Sequence, residues 1–379
     1  MKFWGLISRV RFVVVLACVS TLVMFGLSTS GATAAPLPIK HVWIITLENE
    51  SAPTTFGGGS PAHYLNNTLR PKGVFVPNYY GTGHASLDNY IAMVSGQGAN
   101  PMTQGDCPIY INVLPGTKAP NGQSTGMGCV YPKSVLTIGD QMENHGLTWK
   151  EYAQDMGNTL SREAATCAHP ALNSQDGTES ATAQDNYATR HNGFMYFHSI
   201  IDEPSCNTNV VPLGKTTGGP LVADLGSATT TPTYSFITPS LCEDGHDAPC
   251  ADGRPGGLVS ADAFLATWVP KILGSDAYAE GGMLIVNVDE AATSDASACC
   301  GEGPNPYGLT PVPGITGFGG GRTGAVIVSS RTNPGTTTNF AYNHFSMLKS
   351  VENLFGFPHL GYANTPNLRA FGADIYSAG

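Results

Sequence analysis

Five polar clusters in this 379-residue chain hold residue types that can do chemistry: Glu48-Asn49, Ser86, Asp244 with His246 and Asp247, Asp289-Glu290, and His344. Brought together, that many carboxylates repel one another unless a cation shares the site. Oxygen-rich Glu, Asn, Asp and Glu donors, with His as an optional extra, suit a hard or borderline divalent ion. A serine beside such an ion can lose its proton and act as a nucleophile. The reaction this set suits is phosphoryl transfer, which depends mainly on positioning and on stabilising charge. Taken singly, the clusters have plainer readings: Ser86 as a helix cap, Glu48-Asn49 as the polar end of a strand.

The elements that would position them alternate between strands and helices. Residues 41–50 read HVWIITLENE. Val42 to Leu47 is an apolar run without alternation, as in a strand buried on both faces, and it stops at Glu48. Met283 to Val288 is a second such run and stops at Asp289. Tyr234 to Thr238 is a third, leading into Asp244, His246 and Asp247. Ser86 opens a helix after a brief strand at 73–77, with Asp88 in its first turn. His344 opens the last amphipathic helix, which runs to Phe355 with Gly356 as its cap. Ser134 to His145 and Ser260 to Leu273 read as further helices. This alternation predicts a largely parallel sheet in a single α/β domain. Ligands of such sheets bind beyond the carboxyl ends of the strands, so the clusters converge on one edge. The N-terminus of the Ser86 helix would add N–H donors and a positive dipole for an anion.

Lys2, Arg9 and Arg11, the apolar stretch Phe12 to Leu27, and Ala32-Thr33-Ala34 form the pattern of a cleaved signal peptide over residues 1–34. The apolar stretch is short for a membrane anchor. A secreted chain of residues 35–379 keeps eight of the nine cysteines, an even number that reads as disulfides. Cys107–Cys129 and Cys167–Cys206 are the expected local pairs. Adjacent Cys299 and Cys300 are expected to reach back to Cys242 and Cys250, because a bridge between neighbours is awkward. Loss of the leader's three cations takes the formal net charge from −10 to −13. That balance argues against nucleic acid and against a polybasic membrane-binding patch.

Five ordered blocks carry a resemblance: HVWIITLENES, GHASLDNYIAMVSG, ITPSLCEDGHD, LIVNVDE and YNHFSMLKSVENLFG. In that order they resemble the bacterial phosphoesterase family of the alkaline-phosphatase superfamily, over about residues 40–365 and least between 100 and 230. The family includes secreted acid phosphatases, some acting on phosphoinositides, and phosphatidylcholine-type phospholipases C. The resemblance implies a three-layer α/β/α sandwich with a largely parallel central sheet. It implies that Glu48, Asn49, Ser86, Asp289 and Glu290 hold a divalent metal ion, with Ser86 as the nucleophile. His246 and His344 are implied to hold the phosphate or protonate the leaving group. Asn49, His191 and His84 are the expected substrate contacts, His191 lying in the less specific Arg190-His191-Asn192 block. Asp244 and Asp247 either ligate a second ion or orient His246; the family pattern of one metal favours the latter. Asp88 departs from that pattern, standing where many members have Pro, and it brings a negative charge close to Ser86.

The expected function is therefore hydrolysis of phosphate monoesters, phosphoinositide phosphates among them, through a phosphoserine. Two rivals remain open. One is a phospholipase C, whose acyl chains would need an apolar entrance such as Phe194 to Phe197 or the Gly/Phe loop at 314–321. The other is a catalytically silent exported binding protein, which retention of every ligand-type residue argues against.

Overall fold

β1, His41–Leu47, is buried along its whole length. Its side chains divide by parity, as strand geometry requires: Val42 and Ile44 point into one core, Trp43, Ile45 and Leu47 into the other. A strand with two buried faces needs cover on both sides, and the helices supply it. In this computed structural model, which describes Met1, residues 39–302 and residues 317–377, contacts divide the chain into Met1–Ala35 and Pro36–Gly379. The expected leader with its cleavage site at Ala34, and residues 314–316 of the Gly/Phe loop, lie outside the described residues. Among the described residues no helix is long and apolar enough to cross a membrane.

The elements that matter for the site run in chain order. After β1 come β2 (Val74–Val76), α1 (Ser86–Ser95), α2 (Ile138–Asn144), β3 (Trp149–Ala153), β4 (Val210–Pro212) and β5 (Tyr234–Thr238). Then follow α3 (Gly257–Leu273), β6 (Gly282–Val288), β7 (Ala325–Ser329), β8 (Thr336–Thr337) and α4 (His344–Phe355). The eight strands form one sheet in the order β8-β2-β7-β6-β1-β5-β3-β4. The run β6-β1-β5-β3-β4 is parallel throughout, and β7 alone runs against its neighbours. Leu87, Tyr90 and Ile91 of α1, Met142 of α2 and Met347 of α4 cover one face. Phe264, Leu265 and Trp268 of α3 cover the other. Each such side chain removed from water contributes roughly 1.5–3 kcal/mol. The architecture is the three-layer α/β/α sandwich expected.

Three local expectations change. α2 begins at Ile138, not Ser134, because the Thr137 side chain accepts from the Asp140 N–H while the Asp140 carboxylate accepts from the Thr137 N–H. Cys107–Cys129 and Cys167–Cys206 pair as expected, but Cys242 bonds to Cys250 and Cys299 to Cys300. The loop after β5 turns back on itself and brings the Cys242 and Cys250 Cα atoms to 5.0 Å, leaving the adjacent pair to each other. Phe194 to Phe197, read as a lipid entrance, is fully buried, with Phe194 packed on Trp149 at 4.5 Å. It is core, not mouth. The aromatic run belongs to the face that α1 and α2 cover, where burial outweighs any surface role.

Candidate active site

The register of two strands builds the floor of the site. β1 pairs with β6 from His41↔Gly282 to Leu47↔Val288, so Glu48 and Asp289 leave the sheet side by side. The Asp289 N–H donates to the Leu47 carbonyl at 2.9 Å, extending that ladder by one bond. The Glu48 N–H donates to the Asp244 carbonyl at 2.9 Å, which ties the loop after β5 to the same edge.

Glu48 is buried and holds two hydroxyls. Ser86 Oγ donates to Glu48 Oε2 at 2.7 Å, and the Tyr90 hydroxyl donates to Oε1 at 2.5 Å. Ser86 and Tyr90 are i and i+4 on α1, so one helix face delivers both. Ser86 is the first helical residue and caps nothing; the N-cap is Ala85, which has no side-chain acceptor. That disposes of the helix-cap reading. Asn89 organises the approach to the helix: its Oδ1 accepts from the Thr82 and Gly83 N–H groups, and its Nδ2 donates to the Gly83 and Ala85 carbonyls.

Across the β1–β6 seam, Asn49 takes a left-handed backbone, φ 55°, that Asn tolerates better than most residues. Its N–H donates to Asp289 Oδ1 at 3.0 Å, and the Glu290 N–H donates to the same oxygen at 2.6 Å. With the side-chain amide set by its neighbours, Asn49 Nδ2 donates to Glu48 Oε2 at 3.3 Å and to Glu290 Oε1 at 3.1 Å. Its Oδ1 accepts from His246 Nε2 at 3.2 Å. The other Glu290 oxygen pairs with His84 Nδ1, and His84 Nε2 lies 3.1 Å from the Asp295 carbonyl. His344 stands behind this layer. Its Nε2 meets the Asp289 carbonyl at 2.6 Å and its Nδ1 the Tyr79 hydroxyl at 3.0 Å. Both nitrogens of each ring are engaged within the protein, His84 on the Glu290 carboxylate and His344 on the Asp289 backbone.

On the far side of Glu48, His191 stacks on Tyr90 with ring centroids 5.3 Å apart. Its Nε2 lies 3.4 Å from Glu48 Oε2, and its Nδ1 lies 3.3 Å from Asp244 Oδ2. Neither contact has hydrogen-bond geometry. Asp244 Oδ1 accepts from the His246 N–H at 2.8 Å, while the His246 ring is held by Asp247 Oδ1 at 2.8 Å. Asp244 thus fixes the His246 backbone and Asp247 its ring.

The electrostatics follow from crowding. Burial, then Asp289 and Asp244, push the Glu48 carboxyl well above the usual range. Burial, with Glu290 and Glu48 as the respective next causes, does the same to Asp289 and Glu290. Asp88 is raised well above its usual value, by burial and then by Glu290 and Asp106, with neither oxygen hydrogen-bonded. Burial thus opposes the negative charge expected beside Ser86. His191 and His344 are pushed down by burial, His344 to about 4. His246 is raised to about 9, first by its bond to Asp247.

A divalent ion fits this donor set. Asp289 Oδ2 is buried without a partner, the surrounding acids are oxygen donors, and a cation would offset a repulsion that burial makes worse. Glu48, His191 and Asp244 also bring ligand atoms to within 4.8 Å of one another. Tyr90 was not anticipated, although its spacing from Ser86 was visible. Asp106 was not anticipated either: its Oδ1 accepts from the Leu87 N–H at 3.0 Å, so one of the helix donors expected to await an anion is already taken. Nothing in the sequence marks a carboxylate 19 residues downstream as its partner.

The family model described as the phosphoesterase family matches residues 64–358. The chain belongs to the phosphoesterase family. That is the family whose pattern the sequence blocks resemble. A probable acid phosphatase of Kluyveromyces lactis is 24% identical over 85% of this chain, which spans 59% of that relative's length. A phosphatidylinositol-3-phosphatase of Mycobacterium tuberculosis is 22% identical over 91% of this chain and 87% of its own length. Among solved structures, an alkaline-phosphatase-superfamily protein from Vibrio parahaemolyticus aligns with 86% of this chain and 68% of its own. That alignment has a TM-score of 0.47 at 12% identity.

Proposed function

We propose that the chain is a secreted, metal-dependent phosphomonoesterase that works through a phosphoserine at Ser86. The observation that carries this reading is the 2.7 Å bond from Ser86 Oγ to Glu48 Oε2, in a buried edge with an excess of carboxylates. Glu48, Asn49, Ser86, Asp289 and Glu290 would hold the ion. When bound, it supplies charge stabilisation for the transferring phosphoryl group.

The chain's own groups do the rest. Ser86 Oγ forms the bond to phosphorus as the ester P–O bond breaks, and its hydrogen already points at Glu48, a carboxylate made more basic by burial. His246, held at Nδ1 by Asp247 and partly open to solvent, passes its Nε2 proton from Asn49 Oδ1 to the leaving oxygen. Tyr90, His84 and His344 hold Glu48, Glu290 and the Asp289 carbonyl in place. Water then bonds to phosphorus, giving its proton to the now neutral His246, while the P–O bond to Ser86 breaks and Glu48 returns the proton to Oγ, releasing phosphate. Phe194 to Phe197 is buried and gives no lipid entrance, while Phe318 of the Gly/Phe loop is exposed; the mycobacterial relative's name supports phosphoinositide phosphates, and so monoesters, as the ester. Four disulfides support passage through an oxidising compartment.

Hydrolysis of an aryl phosphate, measured as purified, after chelation and after divalent metal is restored, tests the reading. Activity lost with chelator and regained with metal is expected. Full activity in the chelated protein overturns the metal dependence.

A further inference from the structure

Arg190 is a fixed cation whose charge reaches Glu48 and Asp244. It sits in the one-turn helix Thr189–His191, next to the His191 ring that faces both acids. Its side chain is only 7% exposed, yet its ion pairs are loose. Nε is 4.0 Å from Asp106 Oδ2, and Nη1 is 3.6 Å from Glu179 Oε2. A charge-assisted bond to a carboxylate closes to about 2.7–2.9 Å. Its one short bond runs from Nη1 to the Glu179 carbonyl at 2.8 Å. A guanidinium carries five N–H donors, so most of this one's capacity is left for another acceptor.

Asp106 is held where it is by construction. It takes φ 56° and the next residue, Cys107, takes φ 54°, two successive left-handed residues clamped by the bridge to Cys129. Conformations of this kind persist only where the surroundings impose them. The result is a carboxylate with one oxygen on the Leu87 N–H, beside Ser86, and the other facing Arg190.

We infer that Arg190 is a further substrate-binding residue, taking an oxygen of the phosphate group, and that Asp106, the carboxylate facing it at the N-terminal end of α1, tempers that binding. This rests on the phosphoesterase reading above. The Asp106 charge opposes an incoming phosphate anion. The two residues therefore act on phosphate affinity with opposite sign, which a merely structural tie between loops would not produce.

The test is calorimetric titration of inorganic phosphate into the metal-loaded protein, with KM for an aryl phosphate alongside. Arg190→Gln is expected to weaken phosphate binding about tenfold or more, and Arg190→Lys to recover part of the loss. Asp106→Asn keeps an acceptor for the Leu87 N–H but removes the charge, and is expected to tighten binding about threefold. Metal content and unfolding midpoint, measured on every variant, separate a binding defect from a folding defect. Arg190→Gln binding phosphate within about twofold of wild type overturns the inference, as does a shift of Arg190→Gln and Asp106→Asn in the same direction. A wild-type protein that neither binds phosphate nor hydrolyses the ester brings down the functional reading itself, and this inference with it.

Discussion

Asn49 and Asp289 are locked together across the seam between β1 and β6: the Asn49 N–H donates to Asp289 Oδ1 at 3.0 Å while Asn49 holds a left-handed backbone. The bond uses one Asp289 oxygen and leaves Oδ2 buried and unpartnered. Asp289→Asn keeps the acceptor and removes the charge. After chelation the variant is expected to unfold at or above the wild-type midpoint, because it relieves the repulsion around Glu48 and Glu290. Wild type then gains stability on adding metal, about 2.7 kcal/mol at a hundredfold excess over Kd, and the variant gains little. Thermal unfolding with and without metal checks both halves.

His246 is assigned the leaving-group proton, a role whose weight depends on the leaving group. His246→Asn should lower kcat by about 10²–10⁴ for an alkyl phosphate, whose alkoxide leaves poorly. The loss should be much smaller for a nitrophenyl phosphate, which needs little protonation. Equal losses on both esters would move His246 from proton donor to phosphate holder.

Glu352 gives a pH dependence remote from the proposed ligands. It is buried on α4, its Oε1 accepts from the Leu360 N–H at 2.8 Å, and burial raises its carboxyl from the usual range to about 8. A raised folded-state value means the native protein binds the proton more tightly than the unfolded chain. The stabilisation is complete below the ordinary Glu range and is lost as pH rises through about 8. Glu151, fully buried and also raised by burial, acts in the same sense. Unfolding midpoints should fall between pH 5 and pH 8, and Glu352→Gln should flatten the decline. A wild-type midpoint that rises over that interval would contradict this assignment.

Phe194→Ala separates core from entrance. Truncating a ring packed on Trp149 and Phe236 should cost roughly 3–5 kcal/mol in denaturant unfolding. The ratio of phospholipid to aryl phosphate hydrolysis should stay unchanged. A selective loss of phospholipid hydrolysis would restore the lipid reading.

Much of this was legible in the chain because the decisive signals were local. β1, β5 and β6 announce themselves as short apolar runs, and each is followed by its own acids. Parallel pairing then brings Glu48 beside Asp289 by register alone. What was not legible depends on contacts between distant segments. Tyr90 needed the helix face, the Asp106 cap needed a loop folded back by Cys107–Cys129, and the approach of His191 to Asp244 needed the one-turn helix Thr189–His191 to fold against the loop after β5. The Cys299–Cys300 pairing escaped because only the folded loop after β5 shows that Cys242 and Cys250 satisfy each other. Whether Phe194 to Phe197 could serve the rival lipid reading was not legible, because an aromatic run looks alike whether it faces lipid or packs a core.

The most direct measurement is acid quench of the metal-loaded enzyme during aryl phosphate turnover, followed by mass spectrometry of the peptide holding residue 86. Phosphate on Ser86, absent from Ser86→Ala together with the activity, is the predicted result. An unmodified Ser86 peptide with full activity in Ser86→Ala would contradict the nucleophile at the centre of this site.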